Sequence, residues 1–109
     1  MPCGAAAQTA LTAGGLKLTP VSYEQDVKSA LTKVELKEVD AALVYRTDVN
    51  TAGGKVAGVD FPESAKAVND YPIVALKGAP NPAGAQAFLA LVRSAEGKRV
   101  LSHAGFLQP

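Results

Sequence analysis

The sequence has a single cysteine, Cys3, and a single histidine, His103, so no internal disulfide can form. No set of His and Cys at metal-ligand spacing can be written either. It has no Trp, only six other aromatic residues, and no apolar run approaching the roughly 20 residues of a membrane-spanning helix. Neither charge sign dominates: 11 Lys and Arg stand against 10 Asp and Glu, a net charge of +1. That balance excludes the strongly basic face of a nucleic-acid binder. A phosphate loop of the GxxxxGK[ST] kind and a dinucleotide fingerprint are both missing. The first residues lack the charged-then-apolar order of a secretory leader. What remains is 109 residues, 48% of them hydrophobic and 19% charged, the make-up of a globular chain with room for one modest domain.

The apolar periodicity predicts alternating helices and strands. Ala5 to Ala13 is Ala-rich and stops at Gly14-Gly15, a helix with a glycine terminator. Leu16 to Val21 alternates apolar and polar, as a short edge strand does. Ser22 to Lys37 carries Val27, Ala30, Leu31 and Val34 on one helical stripe, with Glu24 and Asp26 expected in its first turn. Val39 to Tyr45 is apolar apart from Asp40 and predicts a strand buried on both faces. Lys55 to Phe61 and Tyr71 to Leu76 predict two more strands. Asn81-Pro82 is a cap followed by proline at the first helical position, and Phe88, Leu89, Leu91 and Val92 are that helix's apolar side. A last helix from Ala95 ends at Gly105. This order predicts an α/β fold, a mainly parallel sheet flanked by helices.

Chemistry of the nucleophilic or metal-assisted kind finds no constellation. Cys3 near a helix start and His103 a hundred residues on are no dyad by sequence alone. Three quieter places offer donors at helix starts and strand ends. Pro2-Cys3-Gly4 precedes a helix whose first amides have no intrahelical acceptor, Gln25-Asp26-Val27 opens another, and Tyr45 brings a phenol to a strand end. Free amides and a hydroxyl of this kind can hold an anion without Lys or Arg.

Several segments, taken in order, resemble a known family. They are Leu43-Val44-Tyr45-Arg46-Thr47-Asp48, Phe61-Pro62-Glu63, Tyr71-Pro72-Ile73-Val74-Ala75-Leu76-Lys77, Asn81-Pro82, Ser94-Ala95-Glu96-Gly97 and Gly105-Phe106. With Pro2-Cys3-Gly4 ahead of the Ala-rich helix, this ordered set is similar to the molybdate-binding proteins of ABC importers, across essentially the whole chain. The resemblance implies a two-lobed periplasmic solute-binding protein that closes on molybdate or tungstate. It implies no enzyme activity, no cofactor, and an ABC permease as partner of the intact parent. Carried over by motif, the ligand contacts fall on the Cys3 amide, the Val27 amide and the Tyr45 hydroxyl. Two further contact segments belong to a first lobe, which together with a leader and a strand would precede Pro2. An N-terminally truncated chain is therefore expected, with Met1 standing where the family has an aliphatic residue. Residues 1–76 would form the second lobe without its first strand. Residues 77–109 would be helices that pack on the first lobe, leaving Phe88, Leu89, Val92, Val100, Leu101 and Phe106 uncovered and prone to self-association. A ligand-sensing domain of a transcription regulator, built on the same architecture, is the alternative.

Overall fold

The computed structural model describes residues 2–109, so the expectation placed on Met1 lies outside the described residues. The chain forms two compact units, Met1–Asn69 and Asp70–Pro109. The first holds α1 (Pro2–Ala13), α2 (Val27–Glu35), α3 (Arg46–Thr51) and a 3-10 helix (Pro62–Ala67). The second holds α4 (Pro82–Arg93) and α5 (Ala95–Ala104).

The predicted parallel sheet is not formed. Among the described residues there is no strand: Leu16 to Val21, Val39 to Tyr45, Lys55 to Phe61 and Tyr71 to Leu76 run without a ladder to any neighbour. The physical reason is that apolar pattern is a property of one segment, whereas a strand exists only where a second backbone takes its N–H and C=O groups. Burial agrees with the correction, because Ile73, Val74 and Leu76 are 45%, 73% and 73% exposed, far from residues covered on both faces. Only Ala10, Leu31 and Ala52 are buried among the described residues, and none of them completely. The accessible surface is 8635 Å². Two separate compact bodies of these sizes would expose only roughly 6,800 Å².

The helices obey local rules closely, with two shifted starts. α1 begins at Pro2 and not at Ala5, so Pro2-Cys3-Gly4 lies inside the helix it was expected to precede. Proline suits a first helical position, since its missing N–H would find no acceptor there. α2 begins at Val27 and not at Ser22, because Asp26 is extended and its carboxylate accepts the Ser29 amide at 2.7 Å. Glu24 and Asp26 therefore lie before the helix. Glu24 is tied to Lys33 at 2.8 Å instead.

α1 stops as its glycines require. Gly15 is left-handed (φ 68°), its amide reaches Thr12 O, and the Leu16 amide reaches Leu11 O at 2.9 Å. α2 ends in the same double bond, from Lys37 to Val34 and from Glu38 to Lys33, but with Lys37 at φ 62° where glycine is the usual occupant. α1 packs against the 3-10 helix, and α2 against α3.

In the second unit Asn81 caps α4 by accepting the Gly84 amide at 2.9 Å, as its Asn-Pro start predicts. Ser94 ends α4 and caps α5, accepting the Gly97 amide at 3.2 Å. This corner admits only glycine at 97. A Cβ there would come far inside contact distance of the Leu91 and Val92 carbonyls. Gly105, at φ 105°, closes α5, and Phe106 then meets Tyr71 edge to face with ring centres 5.7 Å apart. Of the residues expected to stay uncovered, Phe88 (61%) and Val100 (52%) are well exposed, Leu89, Val92 and Leu101 are half-buried, and Phe106 (36%) lies against Tyr71.

Candidate functional site

Two of the three sequence-predicted positions meet. Cys3, the second residue of α1, is half-buried, and its thiol donates to the Leu43 carbonyl at 3.8 Å, across 40 residues of chain. Tyr45 follows two residues later, at the start of α3, and its hydroxyl is a hydrogen-bonding neighbour of the Cys3 thiol. The Ala-rich stretch lets α1 come this close, because small side chains keep its backbone near whatever it packs on.

Burial pushes the Cys3 thiol up from its ordinary value of 9.0, the nearby Asp48 carboxylate adds to the rise, and the Tyr45 hydroxyl opposes both. The thiol is therefore protonated at neutral pH and is a poor nucleophile. Asp48 is itself built into the turn: its Oδ2 accepts the Tyr45 amide at 3.0 Å, which fixes the backbone on which the phenol is carried. Arg46, the next residue, is paired with Asp60 at 2.7 Å.

The phenol has a second partner. Asn69 donates from Nδ2 to the Tyr45 hydroxyl oxygen at 2.7 Å, in a half-buried contact that spans 24 residues. Sequence reasoning missed Asn69, and no signal marks it, since it lies in an unpatterned stretch ahead of Tyr71-Pro72.

Val27 stands apart from this contact network. It is the first residue of α2, whose face packs on α3. The Asp26 carboxylate takes the Ser29 amide and interacts with the Lys28 amide, and these bonds hold it below its ordinary value of 3.8, so it is charged at neutral pH. The Val27 amide precedes both of those amides in the helix. Charges of both signs adjoin the candidate positions: Asp48 lies by Cys3 and Tyr45 and Asp26 by Val27, while Lys28 follows Val27 and the Asp60-paired Arg46 follows Tyr45. Among the described residues no group of three His, Cys, Asp or Glu is arranged to hold a metal ion. No helix among them is long and apolar enough to cross a membrane.

A profile of the bacterial extracellular solute-binding protein family matches residues 1–107, and the chain belongs to that family. Within it, the chain is 43% identical over all 109 residues to the molybdate-binding protein ModA of Mycobacterium bovis, and equally to that of Mycobacterium tuberculosis. Its 109 residues span 42% of the length of these relatives. No solved structure matches the chain.

Proposed function

We propose that this chain supplies one side of a molybdate- or tungstate-binding site in the solute-binding component of an ABC importer working outside the cytoplasm. The observation that carries the proposal is the meeting of the Tyr45 hydroxyl with the start of α1, in a chain matched end to end by molybdate-binding proteins. The three donors are the Cys3 amide, the Val27 amide and the Tyr45 hydroxyl. Two are amides in the first turn of a helix, where N–H groups lack intrahelical acceptors and the dipole favours negative charge. The third is a neutral O–H. Such a set selects by size and donor geometry and needs no countercharge, so the ligand is not locked in by a buried ion pair. The role is capture and delivery to a permease, and no covalent step is involved.

Three of the five contact segments that the family resemblance implies lie in this chain. Each missing hydrogen bond to a charged group is worth about 1.5–3 kcal/mol, so the chain by itself should bind about a hundredfold or more weakly than a complete site. The test is calorimetric titration of the chain, and of a chimera in which it replaces its matching stretch in the Mycobacterium tuberculosis relative. Molybdate and tungstate are the ligands, with sulfate and phosphate as controls. The chimera should bind the first two selectively, and Tyr45→Phe should weaken that binding roughly tenfold. A folded chimera that ignores both metal oxyanions, where the relative itself binds them, would overturn the proposal. The uncovered faces of α4 and α5 carry a second expectation. Sedimentation of the chain alone should show self-association that Phe88→Ser reduces.

A further inference from the structure

We propose that Asn69 is a positioning residue for the anion site: it fixes which way the Tyr45 hydroxyl gives its proton. The inference rests on the oxyanion reading above and names the group on which that reading's only side-chain contact depends.

A phenol can donate one hydrogen bond and accept others, and it rotates its proton toward the best acceptor available. Against a dianion it is useful only as a donor. Asn69 Nδ2 lies 2.7 Å from the phenol oxygen and donates to it, so the amide occupies a lone pair and is not an acceptor for the phenol's own proton. That proton must then be given elsewhere. The Tyr45 hydroxyl is also a neighbour of the Cys3 side chain, on the first turn of α1 that carries the proposed amide donor. Donation by Asn69 thus directs the O–H away from the amide and toward the α1 start. A donor bond into the phenol oxygen also makes its O–H a stronger donor, by polarisation along the chain of bonds.

Two features make this a placed contact. It joins residues 24 positions apart, and Asn69 is half-buried. The phenol's backbone is pinned independently, by the Asp48 carboxylate on the Tyr45 amide at 3.0 Å. Asp48 thus fixes the Tyr45 backbone and Asn69 holds the phenol oxygen, which leaves the side chain little freedom to swing.

The test is a double-mutant cycle on molybdate affinity, run in the chimera and in the chain itself, with folding of each variant checked by thermal unfolding. Asn69→Ala should weaken molybdate binding about fivefold. In a Tyr45→Phe background the same substitution should change nothing further, because there is no hydroxyl left to orient. A merely structural role would instead give the same loss in both backgrounds. A ligand-free readout accompanies it: an amide donor favours the phenolate, so Asn69→Ala should raise the ionisation midpoint of Tyr45. This is read as the 295-nm absorbance difference from Tyr45→Phe. If the chimera binds molybdate and Asn69→Ala binds it equally well, or loses equally in both backgrounds, the role of Asn69 is overturned while the oxyanion reading stands. If the unsubstituted chimera does not bind molybdate at all, the oxyanion reading fails and this inference falls with it.

Discussion

Each of the two units is organised internally by its own kind of contact. In Asp70–Pro109 the helices are fixed within a few residues of themselves, by the Asn81 cap at i+3, the Ser94 cap at i+3 and Gly105 in the last turn, with the Tyr71–Phe106 ring contact as the long-range addition. In Met1–Asn69 the defining contacts reach across the chain, from Cys3 to Leu43, from Asn69 to Tyr45, and from α1 to the 3-10 helix. Local contacts order a helix cheaply but cannot create a site, whereas long-range ones bring donors from separate segments to one place at a larger cost in chain entropy. The candidate oxyanion contacts lie in the second kind of unit.

The largest effect that would break this contrast is at Gly97. Gly97→Ala forces a methyl onto the Leu91 and Val92 carbonyls and should cost about 1–3 kcal/mol or more, read as a lowered unfolding temperature. If the units are independently organised, Cys3 alkylation in the same variant should stay unchanged. A smaller loss of the same sort is expected at the start of α4. Asn81→Ala removes the cap on the Gly84 amide and should cost about 1 kcal/mol by denaturant unfolding.

The third change goes the other way. Lys37→Gly relieves a left-handed residue at φ 62° and should stabilise the first unit by up to about 1 kcal/mol. No gain in unfolding midpoint would show that the Lys37 side chain compensates for the strain.

Fourth, Asp48→Asn keeps an acceptor for the Tyr45 amide but removes the charge that helps to raise the Cys3 thiol. Alkylation of Cys3 should then quicken roughly two- to threefold at fixed pH. The smallest effect is acid fraying of α2. The Glu24 and Asp26 carboxylates lie below their ordinary values of 4.5 and 3.8. Their stabilisation is thus present above those values and is lost as pH falls through the lower folded ones. Both groups are solvent-screened, so far-UV circular dichroism should show only a slight loss below pH 4, much reduced in Asp26→Asn.

What was legible in the sequence follows the same division. Asn81-Pro82, Gly14-Gly15 and Gly105 announce their turns because a cap or a left-handed glycine needs no distant partner. Asp26 was visible as an acid near a helix start, but its position outside the helix was not, since a capping Asp and a first-turn Asp read alike. The sheet failed for the converse reason. Tyr71 to Leu76 carries the apolar pattern of a strand, yet pattern says nothing of whether a neighbouring backbone is there to pair with. Cys3 and Tyr45 are marked first as donors at a helix start and a strand end and then by resemblance, and their side chains are neighbours in the structure, though the sequence pointed to the Cys3 amide and not its thiol. Asn69 was invisible, because a single amide 24 residues from its phenol leaves no periodic or compositional trace.

The thiol of Cys3 gives the first unit a built-in gauge of local opening. It is the single cysteine of the chain, it is bonded to the Leu43 carbonyl, and burial keeps it protonated. The half-buried thiol reacts faster when α1 lifts from that carbonyl and the thiolate forms. When reclosing outpaces alkylation, the rate measures the fraction of molecules in which that contact is open. The same carbonyl lies two residues from Tyr45. A single labelling reaction, with no added probe, therefore reports how far the contact beside the proposed anion donors is open at equilibrium.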